Sequence, residues 1–187
     1  MTSCIEKSFI ATLRMFDHKV GFLDHLHGKP AMATITLFSG GFYTGRPQTR
    51  DHSHLLGMRI NEQCGRTKPL KLHFSHTPDG YILSVKNQGA YYNQLISNRW
   101  LDTVQAVDSD IDNPSTFTLL DHNGAAITLD NLAETHSPVS LRFDNQHYLG
   151  GLKIRGSPYI YLGKTEESSK ITFMLSVVER NVPASKT

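Results

Sequence analysis

One apolar pattern occurs twice in this chain of 187 residues, at a constant offset of 69 positions and without a gap across 17 positions. Short apolar matches arise by chance, but a fixed offset over this length indicates an internal repeat, which constrains the fold more than any single motif. The matched pairs are Met58 and Ile127, Ile60 and Leu129, Pro69 and Pro138, Leu70 and Val139, Leu72 and Leu141, and Phe74 and Phe143.

A third copy begins near the N-terminus with the alternating run Ala11 to Met15. In each copy an aromatic-aliphatic pair follows, namely Phe22-Leu23, Tyr81-Ile82 and Tyr148-Leu149. Each copy then ends in a Thr-(Ile or Phe)-x-Leu run, namely 34–37, 116–119 and 172–175. The units predicted from this order span about 5–66, 67–135 and 136–187. A further strand is expected at 159–162 in the third unit and at 99–101 in the second, and its counterpart in the first unit is not recognisable.

The periodicity throughout the chain favours strands over helices. Runs such as Leu70 to Phe74 alternate apolar and polar residues, so that one face of each strand points to a core. No segment keeps the apolar spacing of an amphipathic helix over three turns. One such unit leaves strand edges and an apolar face exposed, so three four-stranded units predict a closed, pseudo-threefold all-β barrel.

These motifs resemble the β-trefoil superfamily, of the fascin and hisactophilin type or the agglutinin type. The resemblance rests on Leu72-His73-Phe74 with 80–83, and on Leu141-Arg142-Phe143 with 147–149. It implies one trefoil domain over 1–187 that acts as a non-enzymatic binding module for a carbohydrate or a protein such as actin or a receptor. A ricin-type sugar site is not implied, since the only tryptophan, Trp100, does not stand in a Gln-x-Trp motif.

Composition excludes several other classes. A net charge of +2 without a run of basic residues argues against a nucleic-acid partner. No apolar run approaches the ~20 residues of a membrane helix, so membrane insertion is not expected. Cys4 and Cys64 are interpreted as reduced thiols, and no secretory signal is recognisable. A cytoplasmic protein, or one exported without a cleaved signal peptide, is therefore expected.

The best ligand-binding candidates are aromatic residues outside the repeated strands: Tyr91, Tyr92 and Trp100. They lie in the long middle of the second unit, where 45 positions separate Leu72 from Phe117. Long loops on a rigid scaffold commonly carry binding residues, and these rings could stack on a sugar or a peptide side chain. Filling the mouth of the barrel is an equally good interpretation of the same three rings. The segment 42–46 is a weaker candidate.

Two Asp-His-x-His segments, 24–27 and 51–54, offer an alternative function in metal binding or metal-dependent catalysis. In an extended chain His25 and His27, or His52 and His54, would point to one face. Polar loop histidines are the simpler interpretation, and we predict neither a metal site nor a cofactor. The acidic run Asp108 to Asp112 lacks the glycine and the glutamate of an EF-hand loop. No nucleophile elbow or phosphate-binding loop is present, so no enzyme is predicted. A protease inhibitor of the Kunitz-trefoil kind is disfavoured by the two distant cysteines.

Overall fold

The structure, a computed structural model, describes residues 7–183 apart from 37, 40, 41, 44, 45 and 134, with only the backbone described at 38, 39, 42 and 43. Its described part is all-β, as expected. The strands are β1 Phe9–Arg14, β2 His18–Phe22, β3 Met32–Ile35, β4 Phe38–Ser39, β5 Phe42–Tyr43, β6 Gln48–Asp51, β7 Leu56–Ile60, β8 Leu70–Thr77, β9 Gly80–Val85, β10 Leu95–Asn98, β11 Val104–Val107, β12 Thr118–Leu120, β13 Ala126–Ile127, β14 Ser137–Arg142, β15 Tyr148–Lys153, β16 Ile160–Thr165 and β17 Phe173–Arg180.

Helical structure is confined to one α-helix, α1 (Leu23–His27), and three 3₁₀ turns among the described residues, at Asn61–Gln63, Leu129–Asn131 and Glu167–Ser169. Burial of Leu23 and Leu26, which lie one turn apart, holds α1 against the sheet. Gly28 ends the helix in the left-handed conformation, at φ 66°. Within the described part, no helix has the length and apolar character needed to cross a membrane.

The main sheet is antiparallel and strongly curled. Hydrogen bonding runs from β12 to β14, β17, β1, β8 and β9 in that order. Two main-chain hydrogen bonds between Tyr81 and Phe117, of 2.7 and 2.8 Å, then connect β9 to the residue just before β12. The run of paired strands therefore returns to the element from which it started.

The alternating runs predicted from the sequence lie in β1, β8 and β14 and face the main core. Phe9 and Phe74 stack at 4.7 Å between ring centres, and both are fully buried. Leu72 and Leu141, which match in the repeat, are buried in the same cluster. Burial of each such side chain is worth roughly 1.5–3 kcal/mol, so these strands account for much of the stability.

Three pairs of antiparallel strands, here called hairpins, contact one another. The pairs are β2 with β7, β10 with β11, and β15 with β16. Strand β7 pairs with β16 through Met58 and Ile160. Single bridges join Leu55 to Gln105 and Thr103 to Gly163. Each hairpin thus touches both of the others.

The first unit departs from the predicted order. Its closing strand was expected at 34–37, but β3 pairs with β6 in a separate two-stranded sheet, and residue 37 lies outside the described part. The upstream residues of the repeat match also occupy strands with different partners. Met58 lies in β7, which pairs with β2 and β16, whereas Ile127 lies in β13, which pairs with β12. Short alternating runs fit any strand, so such a match does not fix which strand it forms.

The third strand of the third unit is confirmed, since β16 covers Ile160 to Leu162 of the predicted segment. The corresponding prediction for the second unit, a strand at 99–101, is wrong. Arg99, Trp100 and Leu101 form the turn between β10 and β11, and Leu101 has φ 45°. A non-glycine residue in the left-handed region marks a turn, not a strand.

Candidate ligand-binding cleft

An open cleft of about 440 Å³ lies between α1, the end of β6 and the loop after β9. Its lining combines a phenol, an imidazole, two carboxylates, one ammonium group, one hydroxyl and a proline ring. These residues are Asp24, His25, Lys29, Pro30, Asp51, Ser53 and Tyr91. The cleft therefore presents several hydrogen-bonding groups beside the ring of Tyr91.

Tyr91 is held in one position from two sides. Its hydroxyl donates a hydrogen bond of 2.8 Å to Asp24 Oδ2, and its ring lies 4.1 Å from that of Phe22. Burial raises the pKa of Tyr91, and the hydrogen bond to Asp24 raises it further. The phenol is therefore protonated at neutral pH and acts as a hydrogen-bond donor at the base of the cleft.

The two carboxylates are oriented by main-chain groups. Asp24 stands in the first turn of α1, and its Oδ1 accepts the His25 N–H at 2.7 Å. Asp51 Oδ1 accepts the Ser53 N–H at 2.9 Å. Hydrogen bonds from the Ser53 side chain and backbone lower the pKa of Asp51, so this carboxylate is ionised at neutral pH. The remaining lone pairs of both groups are available to a ligand.

The backbone around the cleft is tied together. Ser53 Oγ accepts the Ala31 N–H at 3.0 Å, and His52 N donates to Ala31 O at 2.7 Å. The Leu23 N–H donates to Leu55 O at 3.0 Å, which joins α1 to the segment that carries Asp51. The polar groups are thus positioned before any ligand arrives, and this reduces the entropy cost of binding.

The three aromatic candidates from the sequence do not gather in one place. Tyr91 lines the cleft. Tyr92 is 41% exposed, and the Lys86 ammonium lies 5.5 Å from its ring centre. Trp100 packs against a second core cluster, 5.0 Å from the His52 ring, with the Arg50 guanidinium 5.6 Å from the indole.

The histidine pairs do not share a face, contrary to the extended geometry assumed for them. In α1 successive residues turn by about 100°, so His25 and His27 diverge. His25 lies 5.5 Å from the Tyr91 ring and His27 lies 4.8 Å from the Tyr159 ring. Over the described ranges, no three His, Cys, Asp or Glu side chains form a cluster that could hold a metal ion.

His52 and His54 also separate. His52 is 2% exposed, and its Nδ1 is hydrogen-bonded to the Tyr161 hydroxyl at 2.6 Å. Burial lowers the pKa of His52, so its ring is neutral at pH 7. His54 lines another open pocket, of about 420 Å³, beside Asp108 and Asp110.

Two further sequence expectations fall at the limits of the described part. In segment 42–46, Phe42 and Tyr43 form β5, and no side chain of this strand is described. Cys64 is a free thiol, and Cys4 lies outside the described residues. Neither segment contributes to the cleft lining.

Sequence alone does not single out Asp24 and Asp51 as ligand-binding residues. Each opens one of the two Asp-His-x-His segments, so the same motif that suggests a metal site contains the carboxylates of the cleft. The motif therefore contained these carboxylates, but it was interpreted through its histidines.

Comparison with protein-family models, with curated proteins and with solved structures finds no match to this chain.

Proposed function

We propose that this protein is a non-enzymatic binding module of the β-trefoil type, which binds a carbohydrate through the cleft around Tyr91. The observation that carries the proposal is the hydrogen bond from Tyr91 to Asp24 beside Asp51, in an open cleft with a fixed backbone. The sequence also contains none of the nucleophile or phosphate-loop motifs of common enzymes.

The trefoil assignment is supported by two features of the fold. The paired strands return to their starting element, and three hairpins contact one another pairwise, as three related units around one axis would do. The first unit deviates, because an insertion with α1, β3 and β6 occupies the chain between β2 and β7. This insertion carries Asp24 and Asp51, so the proposed site lies where the repeat is least regular.

A carbohydrate suits the chemistry of the cleft. Carboxylate oxygens accept hydrogen bonds from sugar hydroxyls, and charge-assisted bonds of this kind are stronger than neutral ones. Lys29 adds a donor, the Tyr91 phenol oxygen adds an acceptor, and the Tyr91 ring offers an apolar face to a sugar ring. A small apolar ligand would leave both carboxylates desolvated without partners, which is unfavourable.

Glycan-array screening followed by calorimetry tests the proposal. Asp24→Asn and Tyr91→Phe each remove one hydrogen-bonding feature, and we expect each to weaken binding about tenfold, equivalent to about 1.4 kcal/mol. Tyr92→Phe is the matched control, since the same atom is removed from the neighbouring residue outside the cleft. A blank array, or equal losses in all three variants, would count against the proposed site.

Binding of a protein partner is the second candidate. Phe16 is fully exposed between β1 and β2, Ile60 is 44% exposed, and Asn61 Nδ2 donates to Phe16 O at 3.1 Å, which places the two apolar residues near each other. Exposed apolar groups of this kind can mark a contact surface. A pull-down in which Phe16→Ser loses a partner that Tyr91→Phe retains would favour this function.

A further inference from the structure

We propose that the ligand of the cleft is an acidic oligosaccharide, whose sulfate or carboxylate group occupies a second, basic pocket at the other end of strand β2. This inference rests on the proposed function, since it extends the ligand that the Tyr91 cleft holds. The basic pocket has a volume of about 420 Å³. It is lined by three cationic side chains, Arg14, Lys19 and Lys68, and by no carboxylate among the described residues.

A third, narrow pocket lies between the basic pocket and the cleft. Val20, Thr67 and Lys68 line both the basic pocket and a narrow pocket of about 30 Å³. His25 in turn lines both the narrow pocket and the Tyr91 cleft. The three spaces therefore follow one another along β2, whose five residues extend over roughly 13 Å at about 3.3 Å per residue. The narrow pocket has room for only about one water molecule. An oligosaccharide that reaches both ends must therefore pass over the mouth of the narrow pocket, and this distance exceeds a single sugar ring.

Charge sets the orientation of the ligand along these three pockets. Asp24 and Asp51 stand at one end with a single cation, Lys29, whereas three cations and no carboxylate line the other end. An anionic group is repelled by the carboxylates and attracted by the cations, so only one direction of binding is favourable. The exposed carboxylate of Asp17, next to the basic pocket, is hydrogen-bonded to His18 at 2.7 Å, and the three cations outnumber it.

The three cations of the basic pocket differ in their exposure and in their other contacts. Lys19 is partly engaged, donating to Gly65 O at 2.7 Å. Arg14 and Lys68 are exposed and are the side chains to test first.

Matched pairs of oligosaccharides provide the test, each pair differing only by one sulfate or by reduction of one uronate carboxylate. We expect wild-type protein to bind the acidic member about two- to fivefold more tightly, as an ion pair at an exposed site provides. The double variant Arg14→Gln/Lys68→Gln should bind both members equally, while Lys153→Gln, an exposed lysine outside these pockets, should keep the preference. Added salt should reduce the preference because it screens exposed charges. Circular dichroism and thermal unfolding confirm that each variant is folded.

The outcomes separate this inference from the proposed function. Equal binding of both members by wild type, or a preference that survives the double variant, would overturn the inference while the Tyr91 cleft stands. Asp24→Asn and Tyr91→Phe could bind acidic glycans or inorganic sulfate as tightly as wild type does. The basic pocket would then act alone, and both proposals would be wrong. Loss of the preference in the double variant and loss of overall affinity in Asp24→Asn support both.

Discussion

Gly163 marks a close approach between two of the three hairpins, and its replacement by alanine probes the architecture directly. A Cβ at this position of β16 would lie 2.2 Å from Asp102 O and 2.4 Å from Leu152 Cδ1. Leucine can rotate away, but Asp102 O belongs to the main chain of the turn between β10 and β11. This carbonyl also accepts the Lys164 N–H at 2.9 Å. Gly163→Ala must therefore push the turn outwards and break this hydrogen bond.

The cost follows from three contributions. Overpacking of a tight contact costs about 1–3 kcal/mol, and loss of the main-chain hydrogen bond costs about 1 kcal/mol. Gly163 does not have a positive φ, so alanine fits its backbone conformation. Alanine also lowers the entropy of the unfolded chain, and this stabilises the variant by about 0.4–1 kcal/mol. The net loss in the free energy of unfolding is therefore about 1–3.5 kcal/mol. For a chain of this size that lowers the Tm by roughly 2–14 °C.

Urea unfolding followed by circular dichroism measures the effect. Gly65→Ala is the matched control, since nothing lies within 4 Å of a Cβ built at Gly65 and its φ is not positive either. We expect the control to raise the free energy of unfolding by about 0.4–1 kcal/mol, because only the entropy of the unfolded chain changes. If Gly163→Ala were as stable as Gly65→Ala, then β16 and the β10–β11 turn would not pack as described, and the pairwise contact of the hairpins would be wrong.

Two further predictions concern buried polar groups. Tyr161→Phe removes the hydroxyl that is hydrogen-bonded to His52 Nδ1 and Ser157 Oγ. His52 Nε2 already lacks a partner among the described residues, so we expect the free energy of unfolding to fall by about 1–3 kcal/mol. This loss should exceed that of Tyr159→Phe in the same urea assay. Stability should also fall in mild acid, because burial is the main cause that lowers the pKa of four histidines below 6.5: His27, His52, His73 and His76. The unfolded chain takes up these protons first, so this stability is fully present above about pH 6.5 and is lost as pH falls through the lowered pKa values. Thermal unfolding from pH 8 to pH 5 measures this, and a constant Tm across that range would contradict the assigned burial.

The sequence predicted the strands of the main core well, because the signal for a half-buried strand is local. Ala11 and Leu13, or Leu70 and Leu72, alternate with polar residues, and that period of two suffices to place one face in the core. The same reasoning failed for Trp100. Its neighbours are compatible with a strand, but the hairpin turn they form depends on β10 pairing with β11, which no local pattern reports.

The residues of the candidate cleft were predicted less well from the sequence than the core strands were. Tyr91 was identified because it lies outside the repeated pattern, but its partner Asp24 is 67 positions away in the chain. The two meet because α1 packs beside the loop after β9. A five-residue helix has too few turns to show helical periodicity, so this element could not be predicted.

The amino-acid sequence by itself determined that this chain is all-β, with buried alternating strands in β1, β8 and β14, since those properties depend on spacing along the chain. Only the tertiary structure decided which strands pair, that His25 and His27 diverge, and that Tyr91, Asp24 and Asp51 line one cleft. The physical reason is that a periodic pattern fixes which face of a strand is apolar, whereas strand pairing and long-range contacts depend on how the whole core packs.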